Sequence, residues 1–275
     1  MRRILFISWW WPYPADNGSK IRIYNLLRHL SQQYRVALLS FAEADEAQPK
    51  QVEHLRGFCE SVEVIPKPHF DPAHLRSLLG YFSRWPRSLV DTYSTEMEQA
   101  IREAAARQSV DLMIASELGN MRYLEVLPGL PGILEEAQVA IARSAVEQAG
   151  SRAARVRAEM TLTKTENAIR HLMGHGVVIT TASETEEVFL RHFAPAGTAI
   201  EIIPNGVDTQ MHRPDPAVEP QANSLIYTGA VTYYANYDAV AYFVREVWPL
   251  VRQRSPEARF TVTGSTRDVD VRDLA

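Results

Sequence analysis

A single cysteine, Cys59, stands among 275 residues, so no internal disulfide can form and the chain suits a reducing compartment. No Cys/His constellation surrounds it and no histidine pair has metal-ligand spacing, so Cys59 reads as a buried or incidental thiol and no metal is expected. Basic residues are not in excess. The 29 Lys and Arg against 33 Asp and Glu give a net charge of −4, which argues against nucleic acid as the main partner. No apolar run approaches the ~20 residues that span a bilayer. The opening Arg2-Arg3-Ile4-Leu5-Phe6-Ile7-Ser8 begins like a signal peptide, but its apolar run is short. It leads into Trp9-Trp10-Trp11-Pro12-Tyr13-Pro14 and not into small residues with a cleavage site. The expectation is a cytoplasmic chain, soluble or at most peripheral to the inner face of a membrane.

What the chain does contain is an ordinary globular composition, 46% apolar and 23% charged, enough for one large or two modest domains. Its pattern alternates strands with helices. Arg3 to Ser8 is a continuous apolar run, as in a strand covered on both faces. Ser19 is placed to cap a helix reaching about Gln33, with Ile21, Ile23, Leu26, Leu27 and Leu30 at helical spacing. Arg35 to Phe41 completes a βαβ unit. Val62 to Ile65, Val110 to Ala115, Gly132 to Leu134, Val177 to Thr181 and Ala199 to Ile203 follow as strands. Helices are predicted over Val52 to Phe58, Pro72 to Ser83, Thr95 to Gln108, Val139 to Met173 with a break at Gly150, and Ser183 to Phe193. A parallel α/β sheet follows from this alternation.

The run Ile202-Ile203-Pro204-Asn205-Gly206-Val207-Asp208 then interrupts the pattern. Pro204 cannot donate to a ladder, and Asn205-Gly206 is a pair suited to positive φ. A proline-bearing segment leads on to a strand over Ser224 to Thr228, a helix over Tyr237 to Arg254 and a strand over Arg259 to Gly264. The expected organisation is a first domain over residues 1–204, a hinge and linker over 205–222, and the beginning of a second domain over 223–275. One βαβ unit cannot bury both faces of its sheet, so the second domain is expected to be incomplete.

In an open parallel sheet, ligands bind beyond the carboxyl ends of the strands. The loop Asp16-Asn17-Gly18-Ser19-Lys20-Ile21-Arg22 after the first strand is the first candidate. Gly18 admits close backbone approach, the following helix amides suit an anion, and Lys20 and Arg22 add positive charge. One glycine where three are needed excludes a dinucleotide fingerprint. Glu135 and Glu136 at the end of the fifth strand are weak catalytic candidates beside solvated or helix-capping roles. His69 is the one histidine in a loop placed to face the cleft. Asp268-Val269-Asp270 reads as a solvated turn. His74 to Val90 carries Leu75, Leu78, Leu79, Tyr81, Phe82 and Trp85 with Arg76, Arg84 and Arg87. Its apolar face is expected to pack on the sheet, with contact at a membrane surface as the alternative.

"IIPNGVD", "IRIYNLLRHL", "ITTASETEEVFLRHF" and "LIYTGAVTYYANYDAVAYFVREVWPLVRQRSPEARFTVTGS" resemble, in that family's order, segments of GT-B-type glycosyltransferases of family 4. The resemblance implies a Rossmann-like acceptor-side domain followed by the start of a second, nucleotide-sugar-binding one. It implies transfer of a sugar from a nucleotide-sugar to a glycan or lipid-linked acceptor, without a metal or other cofactor. Asn17, Gly18, Ser19, Arg22, Asn205, Gly206 and Gly229 would contact donor or acceptor. Three departures stand out. The family's histidine after the fifth strand aligns with Ala137, its Arg/Lys pair after Gly229 is absent, and its paired glutamates lie in a part of the family's second domain that has no counterpart here. Two further readings therefore stand beside the transferase: a non-catalytic, degenerate binding domain, and a nucleotide-sugar epimerase.

Overall fold

A computed structural model describes residues 1–210, 212–266 and 269–274. The chain divides into two units, Met1–Gly206 and Val207–Ala275.

The first unit is built on strands β1 (Arg3–Ser8), β2 (Arg35–Ala42), β3 (Ser61–Pro66), β4 (Leu112–Ser116), β5 (Gly132–Glu135), β6 (Val178–Thr181) and β7 (Ile200–Ile202). They form one sheet in the order β3-β2-β1-β4-β5-β6-β7, every neighbouring pair parallel. The chain runs outward from β1 to β3 and then returns to the other side of β1 as β4. The strand order therefore reverses between β1 and β4, and a crevice opens there beyond their carboxyl ends.

Helices cover both faces: α1 (Gly18–Leu30), α2 (Pro49–Arg56), α3 (Leu75–Leu79), α4 (Arg87–Asp91), α5 (Thr95–Arg107), α6 (Ala140–Glu147), α7 (Arg152–Gly174) and α8 (Glu184–Phe193). The two-residue period of the strands sorts the core. Leu5, Ile7 and Leu39 pack with Met97, Ile101, Ile169 and Leu172 of α5 and α7. Ile4, Phe6 and Leu38 pack with Ile23, Leu27 and Leu55 of α1 and α2. Cys59 is buried in that second layer, and burial pushes its thiol up to about 12.

Several sequence expectations need correction. The cap of α1 is Asn17, whose Oδ1 accepts from the Lys20 N–H at 3.1 Å, because the helix starts one residue before Ser19. The run from Val139 does break near Gly150 as expected, into α6 and α7, with Ser151 capping the second. Pro72 to Ser83 is not one helix. It is the short α3 followed by a 3₁₀ turn over Gly80–Phe82. A Cβ at Gly80 would fall 2.9 Å from Arg87 Cα, so the close approach of α4 needs glycine there. Most apolar side chains from Leu75 to Phe82 do not pack on the sheet. Trp85 is buried, but Leu75, Leu78, Leu79 and Phe82 face solvent. Neither Asn205 nor Gly206 adopts a positive φ.

In the second unit, strands β8 (Ser224–Thr228) and β9 (Arg259–Thr263) pair in parallel. The connection runs through helix α9 (Tyr234–Tyr242), a π turn over Phe243–Val247 and helix α10 (Trp248–Arg254). The single helix expected there is split because Pro249, at the first turn of α10, has no N–H to bond back. No helix among the described residues is long and apolar enough to cross a membrane.

Candidate functional site

Strands β4 and β5 end side by side, with Ser116 opposite Glu135. The next residue on each strand is also a glutamate, Glu117 or Glu136. Both have left-handed backbones, with φ of 66° and 56°. Glu117 has ψ of 159°, a region used almost only by glycine, and such conformations cost on the order of 1–3 kcal/mol. Hydrogen bonds to neighbouring strands hold them. The Glu117 N–H donates to the Glu135 carbonyl at 2.8 Å. The Glu136 N–H donates to Thr180 Oγ1 at 3.2 Å, and the Ala137 N–H to the Thr180 carbonyl at 2.9 Å.

Arg22 rises into this acidic corner from the first turn and a half of α1 and is 7% exposed. Its Nε donates to Glu135 Oε1 at 2.6 Å and lies 3.4 Å from Glu136 Oε2. Nη1 donates to the Ile203 carbonyl at 2.8 Å and to Asn205 Oδ1 at 3.0 Å. Glu135 is completed by Ser116, whose hydroxyl donates to Oε2 at 2.7 Å. Arg22 Nη2 and Glu136 Oε2 are buried and make no hydrogen bond among the described residues. That leaves one donor and one acceptor unused in the same corner.

One guanidinium faces two carboxylates here with Glu117 nearby, so they cannot all ionise cheaply. Burial, and then the charge of Glu135, push the Glu136 carboxyl up to about 7. Burial also raises Glu117, opposed by the Ser19 hydroxyl and the Trp10 indole. A carboxyl with a pKa near neutrality can both accept and return a proton at physiological pH. Glu135 and Glu136 are therefore neither solvated nor helix caps. Lys20 and Arg22 are not free cations for an incoming anion, since Lys20 is paired with Glu46 at 2.8 Å and Asp16 at 3.3 Å and Arg22 with Glu135 and Glu136.

Trp10 joins this corner to a cavity. Its Nε1 donates to Glu117 Oε2 at 2.9 Å, and the Lys67 ammonium sits 3.3 Å from its ring centroid. Burial lowers the Lys67 pKa, opposed by Glu43, Glu46 and Glu117. The cavity, about 500 Å³, is lined by Trp9, Trp10, Lys67, His69, Phe70 and Leu89 among others, a size that suits a small-molecule ligand. His69 lies at it with a largely exposed side chain, 2.9 Å from Glu43 Oε2.

Gly119 shapes the wall, since a Cβ there would fall 2.8 Å from the Trp9 ring. Gly119→Ala is accordingly expected to displace Trp9 and to cost about 1–3 kcal/mol. Near-ultraviolet circular dichroism and urea unfolding read the two effects, and an unchanged aromatic spectrum would refute the first.

Of the other residues singled out in the sequence, Gly18 and Gly206 have open space where a Cβ would stand. Asn205 is held by Arg22. Gly229 belongs to the second unit, where a Cβ would fall 2.9 Å from Asn236 Nδ2. Asn236 pins that turn by donating to the Ala230 carbonyl and accepting from the Tyr227 hydroxyl, both at 3.0 Å. Ala137, aligned with the missing histidine, is fully buried in the core. Asp268 lies outside the described residues, and Asp270 pairs with Arg272. Sequence reasoning missed Glu117, Trp10 and Lys67. Glu117 had a legible signal, an acidic residue directly after a strand bordering the order reversal. The other two depend on spatial neighbours from distant loops.

No family model matches the chain, and no curated protein matches it in sequence. Solved structures do. Sucrose-phosphate synthase from Thermosynechococcus elongatus is 14% identical, with 96% of this chain and 71% of that one covered and a TM-score of 0.56. A UDP-glucosyltransferase from Polygonum tinctorium capable of glucosylating indoxyl is 9% identical, with 95% and 64% covered and a TM-score of 0.52. Arabidopsis thaliana UGT89C1, solved with UDP, is 12% identical, with 99% and 68% covered and a TM-score of 0.50. The likeness is one of fold: this chain has the Rossmann-like architecture of GT-B-type glycosyltransferases.

Proposed function

We propose that the chain belongs to a glycosyltransferase that moves a sugar from a nucleotide-sugar to a hydroxyl of a glycan or lipid-linked acceptor. The observation that carries this reading is Glu136, a buried carboxyl near neutral pKa at the end of β5, next to the strand that borders the order reversal. In the proposed step the acceptor oxygen forms a bond to the anomeric carbon. The bond from that carbon to the nucleotide diphosphate breaks, and the acceptor proton passes to Glu136. Arg22 holds the Glu135 and Glu136 side chains in place. The cavity at Trp9 and Trp10 takes the acceptor, and the second unit, with Gly229 in its strand-helix turn, takes the nucleotide. The structures of UGT89C1 with UDP and of the indoxyl-glucosylating enzyme support the ligand class.

The test is a panel of UDP-, GDP- and ADP-sugars against the purified chain, read by thermal shift and by hydrolysis. At least one donor is expected to raise the melting temperature and to be hydrolysed slowly. The absence of any shift across the panel overturns the proposal, and binding without hydrolysis favours the non-catalytic alternative. Gly18→Ala sharpens the result. With open space at that Cβ, the variant is expected to melt like the parent and to bind the donor more weakly. Equal affinity would remove the α1 loop from the site.

A further inference from the structure

The segment over residues 74–90 was expected to hide its apolar side chains, yet Phe82 is 92% exposed, Leu75 67% and Leu79 57%. This exposure does not come from a frayed chain. Arg87 ties the segment together by donating to the Pro72 and Ser77 carbonyls. Asp91, buried beneath it, accepts from the Asp71 N–H and pairs with His74. From the opposite side the Lys164 ammonium of α7 donates to the Gly80 and Tyr81 carbonyls at 2.7 and 2.9 Å. One and two turns before Lys164, on the same stripe of that helix, Met160 and Val156 are also exposed. A rigidly held turn thus presents large apolar groups to water, with more of them along the neighbouring helix. Exposed patches of this kind mark interaction surfaces.

Charge selects the occupant. From Leu75 to Val90 the chain has Arg76, Arg84 and Arg87 and no acidic residue, within a protein whose net charge is −4. Arg84 is paired with Glu125. Arg76 donates to the Tyr93 carbonyl, and Arg87 and Lys164 likewise bond to neutral oxygens, so among the described residues no salt bridge neutralises these three. Apolar side chains set among cations match the boundary between lipid acyl chains and anionic headgroups. We propose that this turn, with the adjoining stripe of α7, docks the protein on an anionic lipid surface. Phe70 and Pro86, which flank the segment, line the cavity, so docking would bring the mouth of that cavity to the lipid.

The test is flotation of the full chain with vesicles of phosphatidylglycerol and phosphatidylcholine, against vesicles of phosphatidylcholine alone. Binding is expected to the anionic vesicles, weakened by raised salt, and about tenfold weaker in Phe82→Ser with Leu79→Ser. Both side chains are exposed, so the variant is expected to keep the parent's circular dichroism and melt. Arg76→Gln is expected to reduce the salt dependence. Failure to bind anionic vesicles, or equal binding by the double variant, overturns the proposal. So does a concentration-dependent dimer that Phe82→Ser dissociates without any vesicle binding, which would make the patch a protein interface. None of these outcomes depends on a sugar donor, so the docking surface and the transferase reading can fail separately.

Discussion

Arg22→Ala is expected to destabilise the first unit by about 3–5 kcal/mol, the cost of removing one partner from a buried ion cluster. The side chains involved are almost fully enclosed, with 5% of Arg22 and 4% of Glu135 exposed, so water cannot replace the guanidinium. The loss also extends to the end of the unit, because Nη1 secures the Ile203 carbonyl and Asn205. Arg22→Lys should recover only part of the stability. One ammonium cannot reach Glu135 in one direction and the 203–205 backbone in the other. The deficit in Arg22→Ala should shrink in acid, because a protonated Glu136 no longer needs the cation. Urea unfolding at pH 5 and pH 8 measures both statements, and a loss below 1 kcal/mol at pH 8 would show the cluster to be solvated.

Glu136→Gln separates chemistry from folding. The amide keeps the shape of the side chain but takes no proton, so transfer is expected to fall by ~10²–10⁴, the range for a lost acid-base group. Stability should move the other way near neutral pH. The folded carboxyl titrates at about 7 against an ordinary 4.5, so between those values the folded protein binds more protons than the unfolded chain. Stability then falls as pH rises through that window. Glu136 contributes this slope in the parent, and the Gln variant should lack it. Activity of the parent should rise through about pH 7 as the base ionises. A variant that retains full transfer would exclude Glu136 as the base and leave Glu117, whose pKa is also raised, as the next group to replace.

The sheet was readable in the sequence because each strand is a short apolar run bounded by polar turns, and two-sided burial demands that pattern. The break in the Val139 to Met173 run was legible too, since Gly150 and Ser151 are a stop and a start in sequence. The segment from Pro72 to Val90 was not, because periodicity can identify an apolar face but says nothing of whether the face meets protein or water. The site was half legible. Arg22, Glu135 and Glu136 drew notice as charged residues at strand and helix ends, but their mutual neutralisation links positions 113 residues apart, and local sequence carries no trace of it. The same holds for Ala137. An alignment reads it as a vacancy in an active site, but the backbone turn at Glu136 directs position 137 into the core and leaves Glu136 at the corner.

Glu117 and Glu136 stand where glycine would be at ease. A chain shaped only to be as stable as it could be would place small residues at both strand tips and release the strain. The sheet, closed on both faces, is rigid enough to impose these two backbones, and the carboxylates stay where the fold alone would not put them. Ordinary destabilising positions are scattered at random. Two at the ends of neighbouring strands, both acidic and one bordering the point where strand order reverses, are the mark of a trade between durability and chemistry.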